Sequence, residues 1–265
     1  MFAGDLDIEA AVADLADALP GPLRPLARIA FDYRWSWSAG GAAVFEAVDP
    51  ERWSRAVGHN PVRLLNEAHR STLERAAGDQ QLLERIEALA AELQADRDRP
   101  WPDGPATADR PIAFCCAEFG VHGSLPIYSG GLGVLAGDIL KEASDIGLPM
   151  VGVGLLYRTG YFHQRIDITG FQHEYWIDTD PTGLPCVKVT GSDGLPVTVT
   201  VPIDDEDVTA QVWRVDVGRV PLYLLDTDLP QNSAVGRWVT SRLYESNRAI
   251  RLAQYAVLGL SLIHI

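Results

Sequence analysis

The chain has 265 residues, 47% hydrophobic and 22% charged, which suits one large soluble domain or a small one beside a medium one. Its formal net charge of −14 is the wrong sign for a nucleic-acid footprint or for docking on an anionic membrane. No run approaches the roughly 20 apolar residues that span a bilayer, and the acidic N-terminus lacks the basic region of a secretory signal, so a cytoplasmic address is expected.

The first hundred residues read as helical. Residues 8–19 form a first helix, stopped by Pro20-Gly21-Pro22. A second is expected over 25–37, carrying Phe31, Tyr33, Trp35 and Trp37. Aromatics at that density pack helix on helix or offer a surface on which sugars stack. Pro50 begins a further helix with Trp53 on its apolar face, and Pro61 begins another running to His69. Residues 79–99 are amphipathic, with Leu82, Leu83, Ile86, Leu89, Ala90 and Leu93 on one face and charges opposite. Residues 100–105, rich in proline, read as a linker and place a boundary near residue 105.

Residues 112–164 organise the rest. Residues 112–119 make an apolar strand, and Ser129-Gly130-Gly131-Leu132-Gly133 a glycine-rich loop. A helix follows whose buried face is expected to carry Leu135, Ile139, Ala143 and Ile146, with Gly147 and Pro149 as stop signals. Residues 151–157 are a second strand, apolar on both faces as a buried parallel strand is. Together they predict a βαβ unit. Glycines at the mouth of a helix let a ligand approach the backbone, and the unpartnered N–H groups and dipole of the first turn favour an anion. The same pattern also makes a tight turn with no ligand. It is neither a Walker A loop nor a dinucleotide fingerprint.

Beyond the loop the chain turns to β. Residues 187–190 and 197–201 flank a hairpin-like turn at 191–194, and 208–217 pair with 221–225 across Gly218-Arg219. Residues 237–258 return to a helical pattern. Cys115 and Cys116 alternate faces of the first strand as core thiols, and with Cys186 they make an odd, unframed set of reduced cysteines. Among the ionisable residues there is no paired-carboxylate signature, no Ser/His/Asp set and no metal-ligand spacing, so no catalytic residue and no metal ligand is located. His122 and His173 receive no role.

The segment YSGGLGVLAGDILKEASDIGLPMVGVGLLYRTGYFHQ (128–164) closely resembles the signature of the α-glucan (glycogen, starch, maltodextrin) phosphorylases. AEFG (117–120), GFQHEYW (170–176), GRVPLYLLDTDLPQN (218–232) and RLYESNRAIRLAQYAVLG (242–259) fit the same family in the same order. Residues 34–37 and 58–62 resemble the helical N-terminal extension of its shorter bacterial members.

The resemblance implies an α/β chain: a helical extension over 1–105, then over 106–265 part of the first Rossmann-like domain of a GT-B glycosyltransferase fold, with an antiparallel β insertion and an incomplete C-terminus. It implies phosphorolysis of an α-1,4-glucan to α-glucose 1-phosphate, with glucan and inorganic phosphate as partners and a homo-oligomer as an option. Gly130, Gly131, Leu132 and Gly133 would face the phosphate and the glucosyl unit. Glu118 would line or support the cleft, or else pair with a nearby Lys or Arg. His163 and Gln164 would touch the glucan or hold their loop. Pyridoxal 5′-phosphate is implied as cofactor, its lysine lying outside this chain, with Lys141 a surface or ion-pair residue. Where many members carry a tyrosine after the glutamate and an arginine after the loop, this chain has Gly120 and Val134, which removes those side-chain contacts to the cofactor. Residues 261–265 depart from the family, so a truncated frame is expected, and the fragment alone is expected to be inactive. The alternatives are a GT-B nucleotide-sugar glucan synthase, or a non-catalytic glucan-binding module if the chain ends at 265.

Overall fold

The structure is a computed structural model that describes residues 3–56 and 58–261. The last four residues of the tail that departs from the family pattern lie outside the described residues.

Seven helices come first: α1 (Asp5–Ala18), α2 (Pro25–Ala30), α3 (Gly41–Val48), α4 (Pro50–Arg55), α5 (Pro61–Glu67), α6 (Arg70–Ala77) and α7 (Gln80–Asp98). The single helix expected over 25–37 is broken. Asp32 takes an extended conformation and its carboxylate accepts the Arg34 N–H at 2.9 Å. That local bond competes with the helix and caps a short 3₁₀ turn, Tyr33–Trp37. The aromatics belong to the interior. Trp35 meets Phe45 edge-on with centroids 5.1 Å apart, and Phe45 stacks on Trp53 at 5.8 Å. A sugar-stacking role for Tyr33 and Trp35 is ruled out by their complete burial. On α7, Leu82, Ile86, Leu89 and Leu93 are buried, with Leu83 and Ala90 packed against them, and Asp79 caps the helix through the Leu82 N–H.

A six-stranded mixed sheet follows, built from β1 (Ile112–Cys115), β2 (Met150–Leu155), β5 (Val187–Lys188), β6 (Thr198–Ile203), β7 (Glu206–Val217) and β8 (Val220–Asp226). Its order is β1-β2-β8-β7-β5, with β6 also on β7. β1, β2 and β8 are parallel, and β7 pairs antiparallel with β8 from Gln211↔Asp226 to Val217↔Val220. The antiparallel strands β5, β6 and β7, inserted in the chain between the parallel neighbours β2 and β8, extend the same sheet. β2 is buried along its whole length between two parallel neighbours. β1 is shorter than expected, ending at Cys115, and as an edge strand it leaves Ile112 exposed; Cys115 and, just beyond the strand, Cys116 are half-buried rather than core thiols.

Helix α8 (Gly131–Ile146) joins β1 to β2 and ends in a left-handed Gly147 whose N–H returns to the last turn. Its buried face differs from the expected one. Gly133, Ala136, Gly137, Leu140, Ala143 and Ser144 face the sheet, whereas Leu135 is 61% and Ile146 56% exposed. The reason is close backbone packing in the first turns: a Cβ on Gly137 would lie 2.3 Å from the Gly120 carbonyl oxygen, so only glycine fits at that position. Apolar periodicity does not register a face made of glycine, alanine and serine.

A two-stranded hairpin, β3 (His163–Ile166) with β4 (Gln172–Tyr175), forms its own sheet beside this one. The helical region expected over 237–258 is two helices, α9 (Ala234–Trp238) and α10 (Arg248–Leu260). Asn247 caps α10, accepting the Ala249 N–H at 2.9 Å. The buried apolar side chains form two clusters, one mainly within α1–α7 and one around the sheet, and Tyr33 of the helical half belongs to the second. Trp101, in the proline-rich connection, lies under the Arg219 guanidinium at 3.8 Å.

Candidate functional site

The parallel strands set where the site lies. β1, β2 and β8 run the same way, so their C-terminal ends lie at one edge of the sheet, the place where open α/β sheets take ligands. Glu118 follows β1 and Tyr157 follows β2. The Tyr157 hydroxyl donates to the Ala117 carbonyl at 2.8 Å, which ties the two strand ends together. Burial pushes the Tyr157 phenol far up, so it stays a donor. After β8, the half-buried Asp228 receives the guanidinium groups of Arg158 and Arg237.

The glycine loop enters α8 at this edge. Gly130 is extended at φ −155° and caps the helix without a side chain, and Val134 N–H returns to its carbonyl at 3.1 Å. The N–H groups of Gly131, Leu132 and Gly133 precede the first helical carbonyl that could take them. A Cβ at Gly130 or Gly131 would meet nothing within 4 Å, so their outer side is open. The other glycines serve the fold. A Cβ on Gly133 would lie 2.5 Å from Tyr128 Cβ and 3.0 Å from a Glu118 oxygen. One on Gly120 would lie 2.9 Å from the Gly133–Val134 peptide, and the Gly120 N–H donates to the Gly133 carbonyl at 2.7 Å. A larger residue at 120 does not fit this packing.

Glu118 is 1% exposed. Its Oε2 accepts the Ser129 N–H at 2.7 Å, and its Oε1 accepts the Tyr244 hydroxyl. No lysine or arginine pairs with it among the described residues, which overturns the ion-pair alternative. The carboxylate supports the loop from beneath. Tyr244 was not singled out by its sequence context. It sits in the turn between α9 and α10, and only the tertiary fold brings it to Glu118.

His163 and Gln164 lie apart from this group, on β3. They pair in register with Tyr175 and Glu174, and the His163 ring stacks on Tyr175 at 5.4 Å and 24°. His163 lines a groove of about 650 Å³ with Asn60, Ser124, Tyr161 and Asp180. Neither residue hydrogen-bonds to Glu118 or to the loop among the described contacts. At the tip of this hairpin Asp167 accepts Thr169 and Phe171 N–H and the His173 ring, bonds that hold its carboxyl well below the usual range, the Thr169 hydroxyl foremost. His122 is packed against Trp35 at 4.8 Å, and burial pushes its pKa down to about 4, so it is a neutral, half-buried packing residue. Lys141 lies 4.0 Å from Asp138 and 5.8 Å above the Trp37 ring, as an ion-pair residue does. Among the described residues no group of three or more His, Cys, Asp or Glu is placed to hold a metal. No described helix is long and apolar enough to cross a membrane.

Residues 19–125 match a family described as a protein of unknown function, DUF3417. The chain is 43% identical over 251 residues to a protein of Mycobacterium tuberculosis named glycogen phosphorylase, an alignment covering 91% of this chain and 29% of that protein. It is 38% identical over 261 residues to a maltodextrin phosphorylase of Thermococcus litoralis, covering 96% of this chain and 31% of that one. A glycogen phosphorylase of Aquifex aeolicus is 36% identical over 233 residues, with shares of 87% and 33%. The chain thus spans about a third of the length of these relatives.

Proposed function

Because the chain is homologous over about nine tenths of its length to proteins named glycogen and maltodextrin phosphorylase, we propose that it supplies part of an α-1,4-glucan phosphorylase: the helical extension and a portion of the first Rossmann-like domain of a GT-B fold. The reaction is the transfer of a terminal glucosyl unit from glucan to inorganic phosphate, giving α-glucose 1-phosphate. The observation that carries the assignment to a site is the open backbone at Gly130 and Gly131, where no Cβ contact exists and the first helical turn presents its N–H groups.

These donors, reinforced by about half a positive charge of the helix dipole, hold an oxyanion without a cationic side chain. In a chain of net charge −14, such a local site is what an anionic co-substrate requires. Gly130 to Gly133 hold the phosphate and the glucosyl unit, Glu118 keeps the loop in place, and His163 and Gln164 offer a second, more distant contact to the glucan. A neutral polysaccharide is indifferent to the surrounding acidity.

Pyridoxal 5′-phosphate, implied by the resemblance, is anchored through a lysine. The two lysines of this chain, Lys141 and Lys188, lie over Trp37 and Trp213 at 5.8 and 5.1 Å. The residues present here do not supply the anchoring lysine, so the cofactor's chemistry belongs to another part of the whole protein. The test is phosphorolysis by this chain extended to the length of its relatives. Release of glucose 1-phosphate from maltodextrin, with no nucleotide added, supports the reading. Glucan elongation from a nucleotide sugar without phosphorolysis refutes it.

A further inference from the structure

Tyr244 occupies an unusual position. It is a bulky residue at φ 56°, in the left-handed region that side chains avoid. Such a conformation persists only where its surroundings over-determine it. They do so here on both sides. The preceding residue, Leu243, is buried and its N–H donates to the Thr159 carbonyl at 3.1 Å. The Thr159 N–H returns to Ser241 at 2.8 Å, and Gln254 of α10 donates to the Val239 and Arg242 carbonyls, both at 2.9 Å. Beyond it, the Glu245 carboxylate accepts the Ser246 N–H at 2.8 Å, and Asn247 caps α10. The backbone is clamped so that one hydroxyl reaches Glu118.

We propose that Tyr244 is a positioning residue for the glycine loop: its hydroxyl holds one Glu118 oxygen so that the other receives the Ser129 N–H, and this fixes the direction of the Gly130 and Gly131 N–H groups. The bond to Glu118 also raises the Tyr244 phenol to about 12, which keeps it protonated and donating at any physiological pH. The ring is 42% exposed, with the Arg251 guanidinium 5.6 Å from its centroid, so it does not fill a core. The positioning itself is a property of this chain; its effect on turnover rests on the phosphorylase reading.

The first experiment uses the 265-residue chain and hydrogen exchange of the Ser129 amide, the loop N–H that Glu118 accepts. Tyr244→Phe is expected to speed exchange there by roughly 10-fold, since a buried carboxylate deprived of a donor no longer fixes its remaining partner. Residues of α7 serve as the unchanged reference. Glu118→Gln preserves an acceptor for Ser129 and an N–H for the Tyr244 oxygen, so its exchange is expected to stay near wild type. Wild-type exchange in Tyr244→Phe overturns the proposal, and so does loosening by Tyr244→Ala alone, because that assigns the effect to the ring and not the hydroxyl. The second experiment uses the chain extended to the length of its relatives. There Tyr244→Phe is expected to raise KM for phosphate by roughly 10-fold more than KM for maltodextrin. Equal changes in both constants overturn the positioning of an anion site. If no form phosphorolyses glucan, the functional reading fails while the exchange result stands.

Discussion

Two glycines of the loop, two residues apart, are expected to respond to the same substitution in opposite ways. At Gly131 an added methyl meets nothing within 4 Å, and the residue begins a helix. Alanine there restricts the unfolded chain and favours the helix, a gain of about 0.5 kcal/mol at a first-turn position. At Gly133 the same methyl lies 2.5 Å from Tyr128 Cβ and 3.0 Å from a buried Glu118 oxygen. Overpacking of that kind costs about 1–3 kcal/mol and exceeds the gain in helix propensity, so a net loss of about 2 kcal/mol is expected. With roughly 2–4 °C per kcal/mol for a chain of this size, Gly131→Ala raises Tm by about 1–2 °C and Gly133→Ala lowers it by about 4–8 °C. Thermal and urea unfolding followed by circular dichroism measure both. The reasoning is refuted if Gly131→Ala falls as far as Gly133→Ala, because that places a neighbour on the side taken here as open to ligand.

Gly131→Val in the extended protein is expected to reduce phosphate-dependent turnover by roughly 100-fold or more, as for loss of oxyanion donors, while Tm stays within a few degrees; full activity removes the anion role from the loop. Asp32, fully buried, has its pKa raised from 3.8 to about 6, by burial first and by Asp216 next among the raising causes, against the pull of Arg97. Its folded state binds the proton more tightly, so its contribution to stability falls as pH rises from about 4 to about 6, by about 3 kcal/mol. The stability of wild type minus that of Asp32→Asn, measured by urea unfolding across that range, is expected to decline; a rise contradicts the sign. Asn247→Ala removes the cap that takes the Ala249 N–H, and is expected to cost about 1 kcal/mol, with faster amide exchange at the start of α10; protection equal to wild type counts against it.

The βαβ unit, the amphipathic α7 and the β7–β8 hairpin were legible because long apolar or amphipathic runs and turn glycines carry them. Three things were not. The break at Asp32 depends on a single carboxylate choosing the Arg34 N–H over the helix, which periodicity does not register. The buried face of α8 is set by Gly133, Gly137 and Ser144, residues that add nothing to an apolar count. At the site, the GGLG spacing marked a strand-to-helix turn, yet it did not separate Gly130 and Gly131, which are open, from Gly133, which is packed. Tyr244 lies more than a hundred residues from Glu118, so their contact is a property of the fold alone.

The junction between the helices and the sheet is built of buried charge rather than apolar contact alone. Asp32, in the helical half, accepts Arg97 at 3.0 Å and the Gly218 N–H at 2.9 Å across the boundary. Asp216 of β7 accepts Arg28 at 3.2 Å and Arg214 at 2.9 Å, and Arg214 reaches on to the Ala3 carbonyl at 2.8 Å. Arg219 donates to the Arg99 carbonyl at 2.6 Å while lying over Trp101. Desolvating so many charges offsets most of their attraction, so this network adds little net stability compared with a well-packed apolar seam. What it adds is directional, because the Asp32 and Asp216 carboxylates and the Arg28, Arg97 and Arg214 guanidinium groups find these partners in one docking geometry and lose them in others. The same junction seats Tyr33, whose hydroxyl meets Ser124 at 2.8 Å, on the segment that leads from Glu118 to the glycine loop. The helical half therefore packs directly against the segment that carries the loop, and its docking geometry is coupled to the loop's position.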